Sequence, residues 1–196
     1  MIVFQYISLI LSGILVENIF FTRALDAGNM IDLVNEPRKI LDFSVTFTVS
    51  TTIGSILCAV IDKLLFNFKY IGYARPTIYL LVISVVYIAI YYILRNYKQK
   101  GLDKYKHLLS YACINSGVYG VLFVNQRYEN NILESGFYGL SAGVGMFLAL
   151  LVILSAKTRL SYSNIPKIMK GLPILLIYIG LLSLGIFGLF GHPLPA

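Results

Sequence analysis

Charged residues are scarce in this sequence: they make up 13% of 196 residues, against 58% that are hydrophobic. Soluble domains carry about 25% charged residues, so this chain has too little polar surface to cover a water-soluble fold. A mean hydropathy of +0.78 supports the same conclusion. The composition therefore predicts an integral membrane protein.

Cysteine is nearly absent, since only Cys58 and Cys113 occur and both lie within apolar stretches. Disulfide-dependent secreted domains have several cysteines at characteristic spacings, so that class of protein is excluded. The sequence also lacks a Ser/Pro-rich linker, an acidic tail and any low-complexity block. We therefore expect a single domain over residues 1–196.

Motifs of soluble enzymes and of signal peptides are missing as well. There is no phosphate-binding loop, GxGxxG turn, HExxH or CxxC.

The apolar start of the sequence, Met1 to Val16, has no basic n-region and no small-residue cleavage site. We therefore expect it to remain as a first spanning helix. His107 and His192 lie near the ends of apolar segments, which favours an interfacial position over a metal or catalytic role.

Six apolar stretches are each close to the ~20 residues that a helix needs to cross a bilayer. They are continuously apolar and do not alternate, which argues against strands. The sequence thus predicts an all-α membrane protein with six transmembrane helices, at residues 2–21, 43–61, 76–94, 108–125, 135–156 and 171–191.

The positive charge, formally +7 in total, is distributed asymmetrically between these spans. The loops after spans one, three and five carry twelve of the sixteen Lys and Arg residues, Arg23 among them. Cytoplasmic loops are the basic ones, so both termini are expected outside. The basic residues form no stripe with interleaved exposed aromatics, so we expect lipid headgroups and not nucleic acid as their partners.

Two polar features inside the predicted spans are costly in lipid. Glu17 and Asn18 stand near the predicted cytoplasmic end of span one, either as a functional pair or simply solvated by headgroups. In span four, the passage from Ser110 to Gly120 is rich in small and polar residues. It indicates either a helix that is broken near the midplane to expose backbone groups, or close helix packing.

Two further patterns favour packing between helices. Span five contains Gly139 and Gly143 one turn apart, which lets another helix approach closely. Span two is rich in Ser and Thr from Thr46 to Ser55, where hydroxyl groups bond to carbonyls four residues earlier. We therefore expect both stretches to face neighbouring helices.

Taken in order, several motifs resemble the Rnf/Nqr family, whose members are six-span membrane subunits of ion-translocating electron-transfer complexes. The resemblance covers nearly the whole chain and is closest to the RnfA/NqrE branch. The motifs that carry it stand in spans one, four and five and in the loop before span six. In that order they are Leu15-Val16-Glu17-Asn18, Asn115-Ser-Gly-Val-Tyr-Gly120, Tyr138-Gly-Leu-Ser-Ala-Gly-Val-Gly145, and Ile165-Pro166 with Lys170-Gly171.

The resemblance implies two inverted three-helix repeats, here 1–95 and 106–192, with the first helix of each broken near the midplane. It also implies the inner membrane of a bacterium, the company of the other subunits of the complex, and pairing with an oppositely inserted homologous six-span subunit. In the family such a pair shares a [2Fe-2S] cluster, with two cysteines from each member of the pair, that passes electrons between flavin or iron-sulfur carriers while Na⁺ or H⁺ moves.

This chain departs from the family at the cluster ligands. Motif alignment places them at Gly28 and Ser116, neither of which is a cysteine. Cys113 lies about one helical turn before Ser116 and is at most a displaced ligand, since one turn is about 5 Å. We therefore expect an altered or lost cluster, and we select Glu17, Asn18 and Asn115 as candidates for an ion path.

Three functions follow from these observations. The first is a membrane subunit of an Rnf/Nqr-type ion-translocating electron-transport complex. The second is a small-solute transporter subunit, similar to the substrate-binding subunits of vitamin importers. The third is a non-redox assembly subunit without a site of its own.

Overall fold

The structure, a computed structural model, describes residues 2–66, 70–97, 102–127 and 131–190. Within these ranges every regular element is helical. The α-helices are α1 Ile2–Leu11, α2 Ile19–Arg23, α3 Ala27–Asn35, α4 Ile40–Leu64, α5 Ile71–Tyr97, α6 Leu102–Cys113, α7 Ser116–Arg127, α8 Ile132–Ser161 and α9 Leu172–Phe190.

Four helical stretches of the described chain are long and apolar enough to cross a membrane: Pro37–Leu64, Ile71–Asn96, Lys106–Gln126 and Ile132–Ser161. Two shorter apolar helices, Phe4–Val16 and Leu172–Gly188, correspond to predicted spans one and six. The predicted all-helical membrane protein is therefore confirmed. Some residues used in these predictions lie outside the described parts of the chain. They are Lys69, Lys98 and Lys100 of the predicted loops, Gly191 at the end of the predicted sixth span, and His192 at the end of the predicted second repeat.

The first predicted span differs most from the structure. Instead of one helix over 2–21, α1 continues into a π-helical turn, Ser12–Val16, and then breaks at Glu17 and Asn18. The resemblance implied a break in this helix, and the structure places it at Glu17 and Asn18. These residues were expected near one end of the span, but the Asn18 side chain bonds to the carbonyl of Gly145, about half-way along α8. The chain then continues through α2 and α3, so the segment is longer than hydropathy alone indicated.

The fourth predicted span is confirmed as a broken helix. α6 ends at Cys113, residues 114 and 115 are a bend, and α7 begins at Ser116. The two halves nevertheless form one candidate span, Lys106–Gln126. Of the two interpretations that the sequence left open, interruption of the helix is therefore the correct one.

Helices α4 and α8 cross closely and form the centre of the molecule. A Cβ atom on Gly139 would lie 2.6 Å from the Thr51 carbonyl oxygen, and one on Gly143 would collide with Thr48. The Thr51 hydroxyl bonds to the Gly139 carbonyl at 2.9 Å, and also back to the Phe47 carbonyl at 3.0 Å. Both packing predictions are thus confirmed.

The apolar side chains divide between this centre and the outer surface. Phe43 and Phe47 of α4 and Met146 of α8 are fully buried in one apolar core. In contrast, α5 and α9 expose large apolar side chains, among them Leu81 and Leu184. An exposed apolar rim around a packed centre is the arrangement of a helical bundle in lipid, where packing and not burial from water holds helices together.

Candidate functional site

The break between α1 and α2 is held by the amide side chain of Asn18, which is 3% exposed. Its Oδ1 accepts hydrogen bonds from the backbone N–H groups of Phe20 and Phe21, at 3.1 and 3.3 Å. Its Nδ2 donates to the carbonyls of Ile14 and Gly145, at 3.0 and 2.9 Å. One side chain therefore satisfies backbone groups that the break would leave unpaired in a water-free interior.

The break between α6 and α7 uses Asn115 in the same way. Asn115 Nδ2 donates to the Tyr111 carbonyl at 2.7 Å, and its Oδ1 accepts from the Val118 N–H at 2.7 Å. Asn18 makes the equivalent pair of bonds, four residues back to Ile14 and three residues forward to Phe21. The same capping device therefore stands at both breaks, one in each half of the chain.

The turn that joins α2 to α3 has an unusual backbone. Ala24 and Asp26 both adopt the left-handed conformation, with φ of 53° and 64°. Such angles are uncommon outside glycine and are strained unless surrounding contacts hold them. Asp26 is held by Ser116 at the start of α7, whose Oγ accepts its backbone N–H at 3.0 Å. This turn thus joins the first broken segment to the second.

The Asp26 carboxyl group is enclosed at this junction, and the residue is 6% exposed. Its Oδ1 accepts a hydrogen bond from Asn29 Nδ2 at 2.6 Å. Its Oδ2 is buried and has no hydrogen-bond partner among the described residues. A buried carboxyl oxygen without a partner is costly, which marks the junction as a place where charge must be compensated.

Two cavities lie beside the Lys106–Gln126 stretch, one lined by residues before its break and the other by residues after it. The first, here the α3–α6 cavity, has a volume of about 330 Å³ and is lined by Asn29, Asp32, Leu33, Asn35, Glu36, Lys39, His107, Leu108 and Tyr111. The second, here the α7 cavity, has a volume of about 340 Å³ and is lined by Arg23, Leu25, Ser116, Tyr119, Gly120, Phe123, Val124 and Gln126. Arg23, expected in the loop after span one, is exposed at the end of α2 and lines the α7 cavity.

The residues at the family's cluster-ligand positions do not fit an iron-sulfur cluster. Gly28 is exposed and has no side chain, and Ser116 offers a hydroxyl group that already accepts the Asp26 N–H. Fe–S clusters are bound by cysteine thiolates, and in some cases by histidine. Cys113 is fully buried and its Sγ lies 3.0 Å from Ser50 Oγ on α4, a different partner from that of Ser116.

The remaining predicted site residues are placed as follows. Glu17 is half-buried, and the Tyr138 hydroxyl donates to its Oε2 at 3.5 Å. Cys58 is buried in α4 and, like Cys113, forms no disulfide. The structure therefore gathers Asn115 and Ser116 with the turn before Gly28, whereas Glu17 and Asn18 lie at the other break beside α8.

Sequence reasoning missed Asp26, because residues 22–42 were interpreted as a cytoplasmic loop where an aspartate is ordinary. The signal that could have found it is the Asp26-Ala-Gly-Asn29 run, which is typical of a turn before a helix and not of a spanning helix's end.

Sequence reasoning also missed the cluster of Asp62, Arg75 and Tyr79. There Arg75 Nε lies 3.2 Å from Asp62 Oδ1, and the Tyr79 hydroxyl donates to Oδ2 at 2.5 Å.

Comparison with known proteins agrees with the resemblance found in the sequence. The family model described as "Rnf-Nqr subunit, membrane protein" matches residues 6–192. A Shewanella sediminis protein that is named as part of an ion-translocating oxidoreductase complex is 27% identical over 190 residues, covering 95% of this chain and 97% of that protein. An Acetobacterium woodii protein that is named as part of a Na(+)-translocating ferredoxin:NAD(+) oxidoreductase complex is 24% identical over 188 residues, covering 96% and 98%. The chain therefore belongs to the Rnf-Nqr family of membrane subunits.

Proposed function

We propose that the chain is a membrane subunit of an ion-translocating electron-transport complex of the Rnf/Nqr type. The observation that carries this proposal is the pair of Asn-capped helix breaks, which brings non-helical backbone into the interior of a membrane bundle. Irregular backbone at membrane depth is tolerated where it is buried in protein or lines a cavity, as in ion transporters. The family match and the names of the relatives support the same function.

The proposal includes six spans in two inverted repeats, 1–95 and 106–192. Its support is the shared capping pattern of Asn18 and Asn115, and the order of a broken segment followed by two helices in each half. The asymmetric distribution of Lys and Arg between the loops supports termini that face away from the cytoplasm of a bacterium. The same loops remain the more basic ones when Arg23 is left out of the count. The proposed partners are the other subunits of such a complex, including an oppositely inserted homologous six-span subunit.

Within that complex, we propose that this chain does not supply ligands to a [2Fe-2S] cluster. The support is chemical: Gly28 and Ser116 stand where thiolates are required, and Cys113 is engaged with Ser50. Glu17, beside Tyr138 at the first break, is the candidate carboxylate of the ion path at that end. Asn18 and Asn115 then serve the path indirectly, since they hold the breaks open.

The test is purification of the tagged full-length chain from its native membrane in mild detergent. We expect flavin-bearing subunits and a homologous six-span subunit to co-purify at fixed ratios, and a tagged unrelated membrane protein from the same cells to bring down neither. Iron content is measured in parallel for wild type and Cys113→Ser, with no difference expected. Recovery of the chain as a stable monomer without such partners would contradict the proposal.

A further inference from the structure

A further cavity, here the α4–α5 cavity, lies at one end of the helix bundle and has no part in the proposed ion path. Its volume is about 260 Å³. Asp62 and Lys63 in the last turn of α4, and Ser135 in the first turn of α8, belong to its lining. Because α4 and α8 are long and apolar enough to cross a membrane, this end lies where a span meets the lipid headgroups.

The described lining of the α4–α5 cavity has a net positive charge. It contains two cations, Lys63 and Arg75, and one carboxylate, that of Asp62. The Asp62 carboxylate is paired with Arg75, whose Nε lies 3.2 Å from Oδ1. Lys63 is exposed, and its Nζ has only a long contact of 3.5 Å to the neutral Asn131 Oδ1. The cavity therefore favours an anion.

The Arg75 guanidinium group is held in a fixed orientation beside this cavity. Asp62 Oδ1 accepts a hydrogen bond from its Nε, and Asp62 Oδ2 is held in turn by the buried Tyr79 hydroxyl at 2.5 Å. The two terminal NH₂ groups of Arg75 have no partner in the described parts of the chain. An oriented guanidinium group with free N–H donors binds a carboxylate or phosphate through two parallel hydrogen bonds. Asp62 and Tyr79 are thus positioning residues, and Arg75 is the anion-binding group.

We propose that the α4–α5 cavity binds the phosphate group of an anionic membrane lipid, with Arg75 and Lys63 as its charged ligands. The Gln126 amide lines the same cavity and offers neutral donors. The lipid source is favoured by the position at the end of the spans and by the apolar border of the site. Phe66 lines the cavity and is 82% exposed, and Leu80 of α5 is 53% exposed. Acyl chains pack against such side chains while the phosphate stays at headgroup level.

The test compares three ligands on the purified full-length protein in neutral detergent, without partner subunits. Thermal unfolding is followed with dioleoylphosphatidylglycerol, with dioleoylglycerol, which has the same chains and no phosphate, and with inorganic phosphate. We expect the phospholipid to raise Tm by at least ~2 °C more than dioleoylglycerol does, through preferential binding to the folded state. Inorganic phosphate should give a smaller shift. The outcome does not bear on which subunits co-purify, so it leaves the proposed function untouched.

The decisive variant is Lys63→Gln, because Lys63 is exposed and its loss should not disturb folding. We expect it to need several-fold more phospholipid for the half-maximal shift. Its matched control is Lys167→Gln, which removes the same charge from an exposed position between α8 and α9 and should keep the full response. Arg75→Gln should lose the shift.

Tyr79→Phe separates a positioning role from a merely structural one. It keeps both cations and frees one Asp62 oxygen, so we expect a weaker phospholipid response in addition to any lower Tm. The proposal is overturned if the phospholipid stabilises the wild type no more than dioleoylglycerol does, or if Lys63→Gln and Lys167→Gln respond alike. An equal shift with inorganic phosphate would overturn the assignment to lipid.

Discussion

Asn18 concentrates on one side chain the hydrogen bonds that an interrupted helix needs. Four backbone groups depend on it: two N–H donors in α2, the Ile14 carbonyl, and the Gly145 carbonyl on α8. Asn115 holds two such bonds and is only half-buried. Asn18 therefore both stabilises its break and fixes it against the central helix, which Asn115 does not do.

Replacement of Asn18 by Ala should destabilise the protein measurably. The change leaves buried backbone groups unpaired, so we expect a loss of about 1–3 kcal/mol in the free energy of unfolding. The loss is measured by thermal unfolding of the detergent-solubilised protein. The control is Asn164→Ala, because Asn164 is exposed in the turn after α8. Equal stability of the two variants would show that the Asn18 cap does not hold the break.

The α4–α8 crossing shows how small residues decide which helices form the centre. Hydroxyl groups of α4 bond to their own helix, as with Thr48 to Ser44 and Thr52 to Thr48. Because these hydroxyl groups are bonded within α4, the surface of α4 stays compact. The glycines of α8, which have no side chains, can then bring the two helix backbones into contact. Because lipid offers no hydrophobic driving force between helices, such close contact supplies the stability.

Gly139→Ala should therefore be disruptive although it adds one methyl group. The new Cβ would lie 2.6 Å from the Thr51 carbonyl oxygen and 2.9 Å from Thr52 Cα, which are backbone atoms that cannot rotate away. We expect a cost of about 1–3 kcal/mol, seen as a lower Tm and a lower yield of monodisperse protein. Gly180→Ala is the matched control on α9, since a Cβ there meets no atom within 4 Å. A similar loss in both variants would argue against close crossing as the cause.

In the whole molecule, the first and fourth of the predicted spans are both interrupted, and the two interrupted segments meet where the Asp26 N–H bonds to Ser116. This contact links residues from separate halves of the chain. A second contact runs from Lys157 Nζ of α8 to the Val34 carbonyl near the end of α3. The two contacts together attach the first broken segment to the rest of the bundle at two points.

The proposed orientation predicts which positions can be labelled from outside intact cells. In a background with Cys58 and Cys113 replaced by Ala, single substitutions Asn131→Cys and Ser163→Cys are treated with a membrane-impermeant thiol reagent. Asn131 precedes α8 and Ser163 follows it, so they stand at opposite ends of one span. Because cytoplasmic loops are the basic ones, we expect labelling only at 131. Labelling of both, or of 163 alone, would refute the orientation.

The sequence alone predicted the membrane class, the four long helices and the use of Gly139 and Thr51 in packing. These features depend on local composition and on spacing along a helix, which hydropathy and periodicity report directly. The family could also be inferred from ordered motifs, and Asn115 was correctly connected with a broken helix. Hydropathy alone predicted one apolar helix over 2–21 and did not locate its break at Glu17 and Asn18, because the residues on both sides of the break are apolar.

Only the tertiary structure decided what lies at the junction. Asp26 is buried because α7 packs beside its turn and Asn29 covers one carboxyl oxygen, and neither contact has a signature in the sequence around Asp26. Burial of a charged residue in a membrane bundle depends on neighbours that are far away in the chain, as Ser116 is from Asp26, so local sequence fixes the helices and long-range packing determines which polar groups they enclose.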